Sequence, residues 1–83
     1  MYRGTISGRE VIVRLGKRLE QANVDRDKIY NTVMSYGEAL FGKGNDSFCI
    51  FTDRIGIIVG EIEQNEIPVI RIDYLIQSEN VYE

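Results

Sequence analysis

The spacing of apolar positions divides the chain into a helical first half and an extended second half. Ser7 is followed three residues later by Glu10, with Ile6 before it and Val11 after, the arrangement of a capping box with a hydrophobic staple. A helix is therefore expected from Gly8. Val11, Ile12, Leu15, Leu19 and Ala22 then share an arc of about 100° at helical spacing, the width of a core-facing stripe, and the helix should end near Asn23. The start signal recurs at Val24, with Asp25 as N-cap, Asp27 in an acidic first turn and Ile29 placed to pack back onto Val24. A second helix should follow, with Ile29, Val33 and Tyr36 inward and Gly37 as its left-handed C-terminal residue. The two-residue link Asn23-Val24 makes the pair an αα-hairpin whose apolar stripes need a common partner.

The second half supplies that partner. Residues 48–52, 55–62 and 67–76 are rich in isoleucine, valine and aromatics, and are separated by Asp53-Arg54 and by Glu63-Gln64-Asn65-Glu66. They read as an antiparallel meander. Residues 42–46 form the loop leading into it, and residues 2–6 can add a short edge strand. The expected fold is α+β, one domain over residues 1–83, with a two-helix hairpin on a three- to four-stranded antiparallel sheet in the order β-α-α-β-β-β.

If Asp53-Arg54 is a two-residue turn, Phe48, Ile50, Ile55, Ile57, Val59, Ile70, Ile72 and Tyr74 share the face under the helices. The other face then holds Cys49, Phe51, Gly56, Ile58, Gly60, Ile62, Ile67, Val69, Arg71 and Asp73, and is too apolar to be left to water. A homodimer is expected to bury it through Phe51, Ile58, Ile62, Val69, Arg71 and Asp73, with Arg71 pairing to Asp73 across a twofold. The turn lacks the glycine a type I′ hairpin prefers, so a longer loop would slip the register by one residue and exchange the faces.

Composition narrows the chemistry. The 83 residues include one cysteine and no histidine, which excludes an internal disulfide, the usual Cys/His zinc sites and any histidine-based proton shuttle. Cys49 has no histidine to activate it and reads as a small strand hydrophobe. Glu61, Glu63 and Glu66 lack the spacing of a calcium loop. Gly42-Lys43-Gly44 has neither the preceding strand nor the following Ser/Thr of a phosphate loop. No cofactor and no metal are expected. No apolar run is long enough to span a membrane, and Met1 to Gly8 has no secretion-signal core, so a cytoplasmic location is expected.

Charge is unevenly placed. Residues 1–43 carry eight basic and five acidic side chains, and residues 44–83 carry two and eight, so halves at +3 and −6 make up the net −3. Arg14, Lys17 and Arg18 form a basic ridge beside the apolar stripe of the first helix, the expected contact for an acidic partner protein. The acidic sheet half is poorly suited to neutralising a phosphate backbone, which argues against nucleic acid as the partner.

Two segments, REVIVRLGKRLEQANVDRDKIYNTV (residues 9–33) and DSFCIFTDRIGIIVGEIEQNEIPVIRIDYLI (residues 46–76), give the order short strand, two helices, three-stranded meander. In that order the chain resembles the small RelE/BrnT-like toxin superfamily. The resemblance implies a ribonuclease, ribosome-dependent or free, with Arg, Lys, His or Tyr on the sheet, and Arg54, Arg71 and Tyr74 are the residues that could match. The absence of histidine and the acidic sheet half depart from that pattern. The expectation is therefore a non-catalytic, homodimeric protein-interaction module, an inhibitor or accessory factor of a microbial or mobile-element system. A degenerate RelE-like ribonuclease and a small-ligand binder at a dimer cleft are the alternatives.

Overall fold

The chain opens with a β-hairpin where the first helix is expected. The structure, a computed structural model, describes residues 1–42 and 46–77 and the backbone of 80–82. Its strands are β1 (Tyr2–Ile6), β2 (Arg9–Leu15), β3 (Ser47–Phe51), β4 (Ile57–Glu63), β5 (Val69–Gln77) and β6 (Asn80–Tyr82), and its helices are α1 (Lys17–Glu20), α2 (Arg26–Ser35) and α3 (Gly37–Gly42). In β2, Val11, Val13 and Leu15 are buried while Arg9 and Glu10 are exposed and Ile12 and Arg14 half-buried, a period of two. The β-branched run Val11-Ile12-Val13 suits that pleated surface. Ser7 and Gly8 both take positive φ, 52° and 79°, as the two central residues of a type I′ hairpin turn do. The Ser7 hydroxyl donates to Glu38 Oε1 at 2.6 Å instead of capping a helix. Only the end of the expected helical stripe is helical, with Leu19 buried on the single turn of α1.

The second helix forms as expected. Asp25 caps α2 by accepting from the Lys28 backbone N–H at 3.2 Å, and Ile29, Tyr30 and Val33 are buried. Tyr36 differs from expectation: it lies past the last helical residue and is 43% exposed. Gly37 is not left-handed either. It opens α3, and a Cβ on it would stand 2.3 Å from Ile6 Cδ1, so glycine is what lets this corner seat on the hairpin.

The sheet has six strands and is mixed, not three or four antiparallel ones. Its order is β1-β2-β5-β4-β3, with β6 pairing β5. Neighbours are antiparallel except β2 and β5, which run parallel with Ile12 beside Val69 and Arg14 beside Arg71. Helical side chains Leu19, Ile29, Tyr30, Val33 and Leu40 pack with Ile6, Val11, Val13, Leu15, Ile50, Ile58, Ile62, Ile70, Ile72 and Leu75 in one core on one side of the sheet. Tyr2 stacks on Tyr30 at a centroid separation of 5.6 Å.

Two local irregularities set the faces. Between β3 and β4 the turn is longer than Asp53-Arg54. Thr52 Oγ1 accepts from the N–H groups of Ile55 (3.1 Å) and Gly56 (2.9 Å) and donates to the Gly56 carbonyl (2.6 Å). This shifts β4 by one residue, so Ile58 and Ile62 lie under the helices at 0% and 4% exposure and cannot belong to an interface on the other face. Ile57 and Val59 take their place there. In β5, Val59 faces Tyr74 and Gly60 faces Ile72, which leaves Asp73 as a bulge and reverses the side-chain alternation beyond it. Leu75 therefore enters the core and Tyr74 turns outward. The expected loop at 42–46 falls mostly outside the described residues. Among the described residues no helix is long and apolar enough to cross a membrane.

Candidate functional site

The helices leave the other side of the sheet uncovered, and cross-strand pairing arranges its residues in rows. Phe51, Ile57 and Ile76 form the first row, and Cys49, Val59 and Tyr74 the second. Next come Ser47, Glu61, Arg71 and Arg14, then Glu63, Val69 and Ile12. The face is thus apolar at the end bearing the β3–β4 loop and charged in the middle. Phe51 is 72% exposed, Tyr74 is 43% exposed, and Ile57, Val59 and Ile76 are half-buried. An apolar cluster of this kind, with no layer over it among the described residues, has the composition of a contact surface.

The charged centre is a network of ion pairs. The Arg71 guanidinium donates through Nε to Asp73 Oδ1 (2.7 Å), through Nη1 to Glu63 Oε1 (2.8 Å) and through Nη2 to Glu61 Oε2 (2.9 Å). Glu63 Oε1 also accepts from Arg14 Nη2 at 3.0 Å. The register makes this arrangement: the parallel β2–β5 pair sets two arginines side by side, and the antiparallel β4–β5 pair sets Glu61 opposite Arg71. The shared Glu63 carboxylate offsets the repulsion between the arginines. Asp73 above all, then Glu61 and Glu63, hold Arg71 protonated even more firmly than water does.

Lys17 and Arg18, at the start of α1, line a shallow depression with Gly16, Glu61, Arg71, Asp73 and Tyr74. Arg14, Lys17 and Arg18 therefore do not form a ridge along one helix. Arg14 lies in a strand and is bonded into the network, while Lys17 and Arg18 stand beside it. Of the residues expected at a dimer interface, Phe51, Val69, Arg71 and Asp73 do lie on the uncovered face, but the Arg71–Asp73 pair closes within one chain. Arg71 and Tyr74 line the same depression, whereas Arg54 lines a separate groove against α2 with Lys28, Thr32 and Tyr36.

Ile57, Val59, Tyr74, Ile76 and the Arg14–Glu63 bond are features that the residue pattern did not place on this face. The alternation Ile57-Ile58-Val59 is apolar on both sides and carries no facing signal of its own. Alternation of charge at Glu61 and Glu63 does carry one, because two glutamates two apart in a strand share a face that has to stay accessible to water or to cations. Comparison of the chain with protein-family models, with curated proteins and with solved structures gives no match.

Proposed function

We propose that this chain is a non-catalytic protein-interaction module that acts as a homodimer and presents the uncovered sheet face to a partner protein. The observation that carries the reading is the apolar cluster of Phe51, Ile57, Val59, Tyr74 and Ile76 on a face that no described residue covers. The adjoining network orients a partner through its fixed charges, while Lys17 beside it gives an acidic partner a point of approach. In this reading the chain acts as an inhibitor or accessory factor. The ribonuclease alternative has less support, since each side-chain nitrogen of Arg71 already donates to a carboxylate that would repel phosphate.

Sedimentation equilibrium at micromolar concentration should report twice the 9.5 kDa chain mass, and a single 9.5 kDa species removes the homodimer. Affinity capture from the native host, run in parallel with wild type and Tyr74→Glu, tests the face. A protein retained equally by both chains does not bind there. RNA cleavage that is abolished by Arg71→Met would restore the ribonuclease reading.

A further inference from the structure

We infer that two copies of this chain join through the outer edge of β3, in antiparallel register with Cys49 opposite Cys49 of the second copy. The inference rests on the homodimer reading above and names its interface.

β3 ends the sheet, and among the described residues only β4 pairs with it. The orientation of its backbone is fixed at both ends. The Asp46 carbonyl accepts from Ile62 N–H and the Thr52 N–H donates to the Gly56 carbonyl, so the even-numbered residues direct their polar groups toward β4. Backbone direction alternates along a strand, so Ser47, Cys49 and Phe51 direct theirs outward, where nothing described receives them.

The strands at the two ends of the order β1-β2-β5-β4-β3 are built differently. β1 carries Arg3, whose side chain is 67% exposed, and a glycine, both of which discourage a further strand. β3 reads SFCIF, with no charge, no proline and no bulge, and it ends on the most exposed aromatic among the described residues. Strands of that kind are templates for strand addition.

A second copy fits the edge better than an arbitrary strand because β3 is complementary to itself. With Cys49 opposite Cys49, three residue pairs exchange both backbone bonds: Cys49 with its counterpart, and Ser47 with Phe51 in each direction. The bulky Phe51 then lies opposite the small Ser47 on the uncovered face, while Phe48 meets Ile50 on the core side. The apolar clusters of the two copies meet at Cys49 and Phe51, doubling the surface offered to a partner. A strand pair of five residues buries a small area, so the dimer should exchange readily at micromolar concentration.

The substitution Ser47→Pro removes an outward N–H that the single chain does not use, at an edge position where proline is tolerated. Sedimentation equilibrium should show the wild type at twice the chain mass, and Ser47→Pro weakened about tenfold or more with an unchanged circular-dichroism spectrum and melting temperature. Should Ser47→Pro fail to fold, Phe51→Glu replaces it, since that side chain is 72% exposed and its change leaves the core intact. The chain has a single cysteine, so a short thiol–thiol cross-linker can only join Cys49 to Cys49, and it should trap the wild-type dimer rapidly and the Phe51→Glu chain slowly. A monomeric wild type overturns the homodimer and this interface together. A dimer that survives both substitutions, or that resists the cross-linker, leaves the homodimer standing and overturns the β3 edge.

Discussion

The two faces of the sheet are built from residues that alternate along the same strands, yet they solve opposite problems. Under the helices the sheet contributes Ile58, Ile62, Ile70 and Ile72, all at 4% exposure or less, and no charged side chain is buried there. On the uncovered face half-buried aliphatics surround two arginines and three carboxylates held in one network. The first face is stabilised by removing apolar surface from water, and each atom removed from it leaves a cavity. The second keeps its charges in water, satisfies them mutually, and loses little when an apolar group is trimmed. Stability therefore resides mainly on the covered side.

The sharpest test compares two adjacent residues. Ile58→Ala should cost about 3 kcal/mol, read as a lower denaturation midpoint with the m-value unchanged, because Ile58 is fully enclosed. Equal costs for Ile58→Ala and Val59→Ala would erase the distinction between the faces. Arg71→Met comes next, at about 1 kcal/mol, because it leaves Glu61, Glu63 and Asp73 crowded around Arg14 in a partly solvated site. Added salt should recover part of that loss by screening the carboxylates, and a deficit that does not respond to salt would mean that packing of the arginine stem dominates. Val59→Ala itself should cost only about 0.5 kcal/mol.

The smallest effect belongs to Tyr30 on the covered face, whose phenol burial pushes above its ordinary value near 10. A raised phenol makes a contribution that is complete below pH 10 and is lost as pH climbs toward the folded-state value, since the unfolded chain ionises first. Stability should therefore decline above about pH 10, and Tyr30→Phe should flatten that decline.

What was legible in the sequence follows the strength of local signals. Asp25 caps α2 because an acidic N-cap and a following helical stripe agree with each other. The three meander strands fall within two residues or so of their expected limits, since β-branched runs between turn residues have one good local solution. Residues 9–15 carry two readings: Val11, Ile12 and Leu15 fit a helical arc, while Val11, Val13 and Leu15 fit a strand. Ser7-Gly8 decides for the strand, because it closes a hairpin as readily as Ser7 and Glu10 would cap a helix, and β5 then supplies a neighbour. That neighbour comes from the far end of the chain, where no local pattern registers it. The face of β4 was open for a related reason, because the Thr52 hydroxyl bonds that lengthen the turn depend on a single side chain. The candidate site was half visible: Phe51, Val69, Arg71 and Asp73 keep their face, whereas the bulge at Asp73 moves Tyr74 onto it.

The parallel seam between β2 and β5 has a consequence for how the chain acquires its shape. β1 and β2 meet across a tight turn, and β3, β4 and β5 meet through short loops, so both subassemblies can form from local contacts within microseconds to milliseconds. The seam joins the two of them, and it requires residues near both ends of the chain to find each other, an entropic cost met before any contact there contributes. During synthesis the hairpin has to wait, its β2 edge unpaired, until β5 has left the ribosome. In that interval β5 of one chain can fill the seam of another, so concentrated refolding should yield swapped assemblies that dilution prevents.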